Sequence, residues 1–167
     1  ILRCLVGSEM CIRDSSRSVG RLLKQLADSN QTLNRNPNSL DNDSQLAGLQ
    51  QLQRLKSNRF RIFVISDFAG DLTMWQDQLQ QLARRNQVDL IHVYDPLDAQ
   101  LPPAGHYAVT DGTQRLQFFS GNRRLRKNYA QQFAHRCEVL QDITRHPAMS
   151  YRNVATHDPS LPQSLWN

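Results

Sequence analysis

The chain has 167 residues, of which 39% are hydrophobic and 21% charged, and it carries a formal charge of +5 with a sequence pI near 9.5. This composition is typical of a globular domain and excludes collagen-like and low-complexity proteins. No apolar run approaches the roughly 18 residues that a membrane-spanning helix needs. Three cysteines are an odd number and too few for a disulfide scaffold.

The first segment of the chain differs from the rest. Residues 5–15, LVGSEMCIRDS, resemble the translation of a sequencing adapter. Polar residues at 7–9 interrupt the apolar stretch, so the segment lacks the hydrophobic region of a signal peptide. We therefore expect residues 1–15 to be a disordered artefact and residues 16–167 to be the protein itself, without the N-terminal half of its domain. Cys137 is then its single cysteine, as suits a reducing cytoplasm.

The next part of the chain predicts two helices. Apolar residues recur every three or four positions through residues 16–27 and again through residues 45–57, which is the spacing of one helix face. Residues 28–44 are polar and predict a loop. Ser44 is suited to cap the second helix, because its hydroxyl can accept a bond from a first-turn amide.

A strand, a helix and a second strand follow. Residues 61–67 and 88–94 are short, β-branched apolar runs, which predict buried strands. Residues 71–86 between them place their large apolar side chains on one helical face. A strand–helix–strand unit of this length predicts two adjacent parallel strands.

The remaining sequence predicts a hairpin, a long helix and a third strand. Asp111-Gly112 joins two strand-like runs near 106–119, and this dipeptide favours a tight hairpin turn whose central residues need positive φ. A long helix is predicted over 122–145, a parallel strand over 151–156, and a short helix after Pro159. The fold class is therefore α/β, a partial doubly wound, Rossmann-like parallel sheet with a hairpin insertion.

Acidic residues at strand ends are the first functional candidates. Ligands of open α/β sheets bind beyond the carboxyl ends of the strands, where Ser66 and Asp67 end the first strand and Asp95 ends the second. One interpretation is a Mg²⁺ site, because this ion prefers carboxylate, hydroxyl and water ligands. The other, which the spacing favours, is that Asp67 caps the following amides and Asp95 forms an Asx-turn before Pro96.

A basic cluster opens the long helix. Its four cations oppose the helix dipole and are Arg123, Arg124, Arg126 and Lys127. They are candidates to contact an acidic protein surface or, as an alternative function, nucleic acid. The interpretation that we favour is a solvated face with Leu125 alone turned inward. No series of aromatic residues is interleaved with the charges, which argues against nucleic-acid binding.

The sequence favours a domain without enzymatic activity. None of the five histidines, at positions 92, 106, 135, 146 and 157, stands at metal-binding spacing from a cysteine, so we expect them to be structural or exposed. Cys137 lies on the apolar stripe of the long helix and predicts a buried thiol rather than a nucleophile. Glycine-rich phosphate loops, Gly-x-Ser-x-Gly elbows and well-placed carboxylate pairs are missing from the sequence.

Four stretches in this order resemble a bacterial family, the domain of unknown function 58, which is a branch of the von Willebrand factor A-like fold. They are VISDF (64–68), VYDPLD (93–98), LPPAG (101–105) and TDG (110–112), and the resemblance extends over about residues 44–160. It implies a protein–protein interaction domain, an adaptor that assists a MoxR-type AAA+ ATPase in maturing protein complexes. It places this chain in the C-terminal half of such a domain.

The same resemblance implies site residues. Related A-type domains bind a divalent cation through an Asp-x-Ser-x-Ser loop, a Thr from a later loop and an Asp after the fourth strand; Asp67 matches the last, and Ser44 lies roughly where the Thr falls. We expect the first loop to be missing, so Mg²⁺ is expected in the intact protein and no cofactor on this fragment. Partner contacts are expected at Asp95 and the basic cluster. The protein is expected in the cytoplasm, with a membrane tether only through upstream helices.

Overall fold

A computed structural model describes residues 60–110 and 114–158, with isolated helical positions at 20, 23, 24, 27, 28, 31, 49 and 50. Those positions agree with the two predicted helices, except that Asp28 and Gln31 are helical where the sequence predicts a loop. The segment 1–15, the Asp111-Gly112 turn, Ser44 and the last predicted helix lie outside the described residues. The chain divides into two compact units, Ile1–Lys56 and Ser57–Asn167, and the second is described below.

Strands and helices alternate in the described part of this unit. In order they are β1 (Arg61–Ser66), α1 (Thr73–Ala83), β2 (Gln87–Tyr94), α2 (Pro96–Ala99), β3 (His106–Thr110), β4 (Arg115–Phe119), α3 (Arg123–Ile143) and β5 (Met149–Ala155). All predicted elements in this range are confirmed, with ends that differ from the predicted ends by at most three residues. The short helix α2 was not predicted; Pro96 gives its first residue a helical φ, and Asp95 caps it.

A three-stranded parallel sheet forms the centre of the unit. Its strand order is β1-β2-β5, with Ile62 opposite Val88 and Leu90 opposite Tyr151. The strand–helix–strand unit and the third parallel strand are therefore confirmed. Within the described ranges, β3 and β4 pair only with each other, as an antiparallel hairpin separate from this sheet.

The two long helices pack on one face of the sheet. Helix α1 contacts β2, α3 contacts β5, and the two helices contact each other. Both crossovers step in the same direction across the sheet, and right-handed crossovers in one direction place their helices on one side. The doubly wound arrangement, with helices on both faces, is not seen in the described residues. None of the described helices combines the length and hydrophobicity that crossing a membrane requires.

Apolar side chains from the sheet and both helices fill the space between them. The buried members of this core are Phe68, Trp75, Leu79, Leu82, Val88, Leu90, Leu140 and Ile143. Val88 and Leu90 share one face of β2 because alternate residues of a strand point to the same side. The buried apolar residues of each helix, Trp75, Leu79 and Leu82 in α1 and Leu140 and Ile143 in α3, recur at three- and four-residue spacing, which aligns them on the face that meets the sheet.

The opposite face of the sheet carries an ion pair. Asp89 of β2 is 7% exposed, accepts a bond of 2.7 Å from Arg61 Nε, and accepts a second bond from the Ser150 hydroxyl. Burial raises the pKa of Asp89, but the hydrogen bonds from Ser150 and Arg61 outweigh that effect and hold the pKa below its usual value. On the same face of β1, Phe63 and Ile65 are exposed.

Candidate functional site

The loop that follows β1 is held by its own polar side chains. Ser66 is buried, and its Oγ accepts a bond of 3.0 Å from the Phe68 amide and donates one of 3.4 Å to Asp67 Oδ1. The Ala69 amide donates to the same oxygen at 3.2 Å. The predicted capping role of Asp67 is therefore confirmed, and both of these bonds use one of its two oxygens.

Phe68 anchors this loop in an unusual backbone conformation. Its φ is +46°, in the left-handed region that side chains other than glycine rarely adopt. The ring is fully buried and packs edge-on against Trp75, with 5.3 Å between ring centroids. Burial of a phenylalanine side chain contributes about 1.5–3 kcal/mol, which offsets the roughly 1–3 kcal/mol that such backbone strain typically costs. The ring therefore fixes the position of the neighbouring Asp67 at the carboxyl edge of the sheet.

His92 lies beneath this loop in a cluster of rings. It is 1% exposed, and its Nδ1 is 3.1 Å from the Tyr151 hydroxyl oxygen. The centroid of its ring lies 5.9 Å from that of Phe68 and 5.7 Å from that of Phe133. Burial, followed by the charge of Arg136, lowers the pKa of His92 against the opposing influence of Asp67. His92 is thus a neutral member of the core, as expected for a structural histidine.

Tyr151 links this cluster to the long helix. Burial raises the pKa of Tyr151, and a hydrogen bond with Cys137 raises it further. Cys137 is half-buried on α3. The thiol therefore contacts Tyr151 between α3 and β5, but it is half-buried where the sequence predicts a buried thiol.

Asp95 begins the short helix α2. Its Oδ1 accepts a bond of 2.8 Å from the Leu97 amide, and Asp98 Oδ2 accepts one of 2.9 Å from the Asp95 amide, which together form a capping box. The predicted Asx-type role before Pro96 is confirmed. Asp95 is exposed, and its part in partner binding stays a prediction.

These residues do not by themselves make a magnesium site. Mg²⁺ takes about six oxygen ligands in octahedral geometry, whereas Asp67 contributes one carboxylate that already serves the loop. Across the described ranges, no group of three or more His, Cys, Asp or Glu side chains is arranged to hold a metal ion. The Asp-x-Ser-x-Ser pattern that was expected to be missing does occur in the sequence, as DSSRS at residues 14–18. That stretch overlaps the adapter-like segment and lies outside the described residues.

The basic cluster at the start of α3 separates into two parts. Asn122 caps the helix by accepting bonds from the amides of Arg124 and Leu125. Arg126 is half-buried and donates to the carbonyl oxygens of Pro102 at 2.7 Å, Leu101 at 3.1 Å and Ser120 at 3.2 Å. The interpretation that Leu125 alone turns inward is wrong, because Leu125 is exposed and Arg126 turns inward.

The loop before the hairpin is fastened to the end of the hairpin. Ser120 is fully buried; its Oγ donates to the Pro103 carbonyl at 2.5 Å and accepts from the Gly105 amide at 3.0 Å. The Tyr129 hydroxyl of α3 donates to the Leu97 carbonyl at 2.9 Å. Ser120 and Tyr129 were not among the predicted site residues. Their partners are backbone carbonyls distant in sequence, which no local pattern indicates.

The hairpin itself presents an apolar face. Tyr107 and Phe118 stand opposite each other with their rings 6.0 Å apart, and Val109 stands opposite Leu116. Alternation along both strands puts these four side chains on one face. Val109 is 51% exposed and Leu116 is 64% exposed, so the outer half of this face meets solvent.

Comparison with known proteins identifies the family. Residues 7–139 match the profile of the family described as "Protein of unknown function DUF58", and this range includes residues 14–18. An uncharacterized protein of Mycobacterium avium is 34% identical over 97 residues, which are 57% of this chain and 57% of that protein. An uncharacterized protein of Mycobacterium tuberculosis is 33% identical over 97 residues, which are 57% of this chain and 30% of that protein. No solved structure matches the chain significantly. Because the profile match extends over most of its length, the chain belongs to the DUF58 family.

Proposed function

We propose that this domain is a non-enzymatic protein-binding module that acts as an adaptor for a MoxR-type AAA+ ATPase in the maturation of protein complexes. The observation that carries the proposal is the distribution of exposed apolar side chains. Eight large apolar side chains of the described residues are exposed, and five of them lie between residues 97 and 125. Those five are Leu97, Val109, Leu116, Phe119 and Leu125. Contiguous exposed apolar surface is characteristic of protein interaction sites, and two of the five, Val109 and Leu116, stand opposite each other on one face of the hairpin.

The hydrogen bonds that hold the hairpin and α2 in place support the proposal. An isolated two-stranded hairpin is only marginally stable in water, but Ser120 and Arg126 fasten the base of this hairpin to the preceding loop and to α3. Tyr129 fastens α2 to the same helix. A surface held in place before binding loses less conformational entropy when the partner arrives, which favours affinity.

The acidic residues at the strand ends are consistent with a binding module. The described bonds of Asp67 and Asp95 hold the loop after β1 and the cap of α2. Both residues therefore hold the backbone at the carboxyl ends of β1 and β2, and Asp95 lies two residues before the exposed Leu97.

The proposal is tested with a purified bacterial MoxR-type AAA+ ATPase. The whole chain is immobilised and binding of the purified ATPase is followed by biolayer interferometry, with nuclease present. We expect saturable binding that persists at moderate salt. Failure of the ATPase to bind, at any nucleotide state, would contradict the adaptor function. A salt-sensitive gel shift with DNA or RNA, measured separately on the same protein without nuclease, would instead favour the nucleic-acid alternative.

A further inference from the structure

We propose that the hairpin surface, defined as the apolar face of β3 and β4 together with the cations Arg115, Arg123, Arg124 and Lys127, binds an extended acidic segment of a partner protein. The segment adds as a strand to the hairpin, with apolar side chains on the apolar face and carboxylates toward the cations. This inference rests on the proposed function and names the chemistry of the partner.

Two cross-strand pairs of apolar side chains, together called the apolar ladder, form the apolar face of the hairpin. Its inner pair, Tyr107 and Phe118, is half-buried and stacked, whereas its outer pair, Val109 and Leu116, is more than half exposed. A partner strand with apolar residues at alternate positions would extend both pairs, because side chains of neighbouring strands meet when they share a face.

The backbone of the hairpin offers a place for a strand. Within the described residues the hairpin is a two-stranded sheet, so β3 and β4 pair with each other and no third strand joins them. An outer strand edge presents amide and carbonyl groups that can pair with an added strand, and several peptide-binding domains use this mode. Each strand has five residues, which is enough for a short ladder of hydrogen bonds.

The positive charge near the hairpin favours an acidic partner. From residue 112 to residue 137 the chain contains no Asp or Glu, and it contains the six cations Arg115, Arg123, Arg124, Arg126, Lys127 and Arg136. Arg126 binds carbonyls of its own chain, whereas Arg123, Arg124 and Lys127 are exposed at the start of α3, four residues after β4 ends. Arg115 lies on the face of the hairpin opposite the apolar ladder. An alternating strand that puts its apolar residues on the ladder therefore turns its other side chains toward Arg115.

The same surface is less suited to nucleic acid. A single strand of RNA or DNA would use stacking platforms between the cations, but the exposed pair on the ladder, Val109 and Leu116, is aliphatic. Aliphatic side chains contribute by burial against other apolar groups. The combination of an aliphatic ladder and adjacent cations thus favours an acidic polypeptide.

The first test uses synthetic peptides of about ten residues, which exceed the length of a hairpin strand, with the whole chain as receptor. One peptide alternates aspartate with valine, a second alternates lysine with valine, and a third alternates aspartate with serine. Fluorescence anisotropy of labelled peptides reports binding. We expect the aspartate–valine peptide to bind at least about tenfold more tightly than either control, with affinity that falls as salt is raised. Equal binding of the lysine–valine peptide, or tighter binding of a single-stranded oligonucleotide, would overturn the proposal.

The second test uses variants and the ATPase itself. Val109→Thr with Leu116→Thr removes the exposed outer pair of the apolar ladder and places β-branched residues at both positions, and Arg123→Gln with Arg124→Gln removes exposed charge. Ile65→Thr and Arg84→Gln with Arg85→Gln are matched controls on β1 and at the end of α1. We expect each hairpin-surface variant to weaken binding of the acidic peptide and of the ATPase by about tenfold, and the controls to change neither. If the wild-type chain binds the ATPase but the hairpin-surface variants bind it equally well, this inference fails while the proposed function stands. If the wild-type chain does not bind the ATPase, the proposed function fails.

Discussion

Because Phe68 has a positive φ, we expect the usual order of stability of glycine and alanine variants to be reversed at this position. In most structured positions glycine is less stable than alanine by about 0.5–1 kcal/mol, because glycine loses more backbone entropy on folding. At a φ of +46°, alanine keeps the steric cost of the left-handed region, about 1–2 kcal/mol, and glycine does not. We therefore expect Phe68→Gly to be at least as stable as Phe68→Ala.

Both variants lose the buried ring. Phe68 is fully buried against Trp75 and His92, and replacing such a ring by alanine costs about 3–5 kcal/mol. That loss is common to the two variants and cancels when they are compared. The difference between them is then the net result of the two opposing backbone effects, from near zero to about 1.5 kcal/mol in favour of glycine.

The assay is urea unfolding followed by tryptophan fluorescence at low protein concentration. The chain has two tryptophans, so a Trp166→Phe background leaves Trp75, which contacts Phe68, as the single reporter. Ala130→Gly on the exposed side of α3 is the control, and it should cost about 1 kcal/mol. If Phe68→Gly is less stable than Phe68→Ala by the amount that Ala130→Gly costs, the reasoning from the backbone strain is refuted.

Three further predictions concern Arg126 at the base of the hairpin, the buried His92 and the exposed Ile65 of β1. Arg126→Met should destabilise the base of the hairpin by about 1–3 kcal/mol, because it removes charged donors from three carbonyls. Amide hydrogen exchange should then accelerate in β3 and β4 but not in β2. Unchanged exchange in β3 and β4 would contradict the role of Arg126 in holding the hairpin. Because burial lowers the pKa of His92 in the folded state, its contribution to stability is complete above the unfolded pKa of about 6.5 and is lost as pH falls through the folded pKa. In a His92→Gln variant, the urea midpoint should lose this part of its pH dependence, and an unchanged profile would refute the assignment. Ile65 is 50% exposed on β1, so the chain should self-associate in light scattering, and Ile65→Lys should reduce the association; a monodisperse wild-type monomer would contradict this.

The local patterns of the sequence were sufficient to predict every element described in residues 60–158 except α2, and to predict the order of two strands. The apolar runs of β1 and β2 lie on either side of an amphipathic helix, and chain connectivity alone makes such strands parallel neighbours. The capping roles of Asp67 and Asp95 were also predictable, because a short acidic side chain reaches amides two residues further along its own chain. These are interactions over a few residues, for which sequence spacing is equivalent to spatial distance.

At the basic cluster, sequence spacing no longer predicts which side chains are close in space. Leu125 and Arg126 are adjacent in sequence, and hydrophobicity alone predicts that the leucine turns inward. Arg126 does so instead, because the carbonyls of the loop at 101–105 lie within reach of its guanidinium. Its position does continue the spacing of Tyr129, Phe133 and Leu140 along α3, a signal that an apolar pattern overlooks because the residue is charged.

By itself the sequence determined the class of the fold, the parallel strands, the hairpin and the family, since each depends on local periodicity or on motifs within short segments. Only the tertiary structure decided that α1 and α3 share one face of the sheet, that Phe68 adopts a left-handed backbone conformation, and that Arg126 supports the hairpin while its neighbours face solvent. Each of these depends on groups that are far apart in the chain and are brought together by burial of a common core, so the energy that fixes them exists only once the chain has folded.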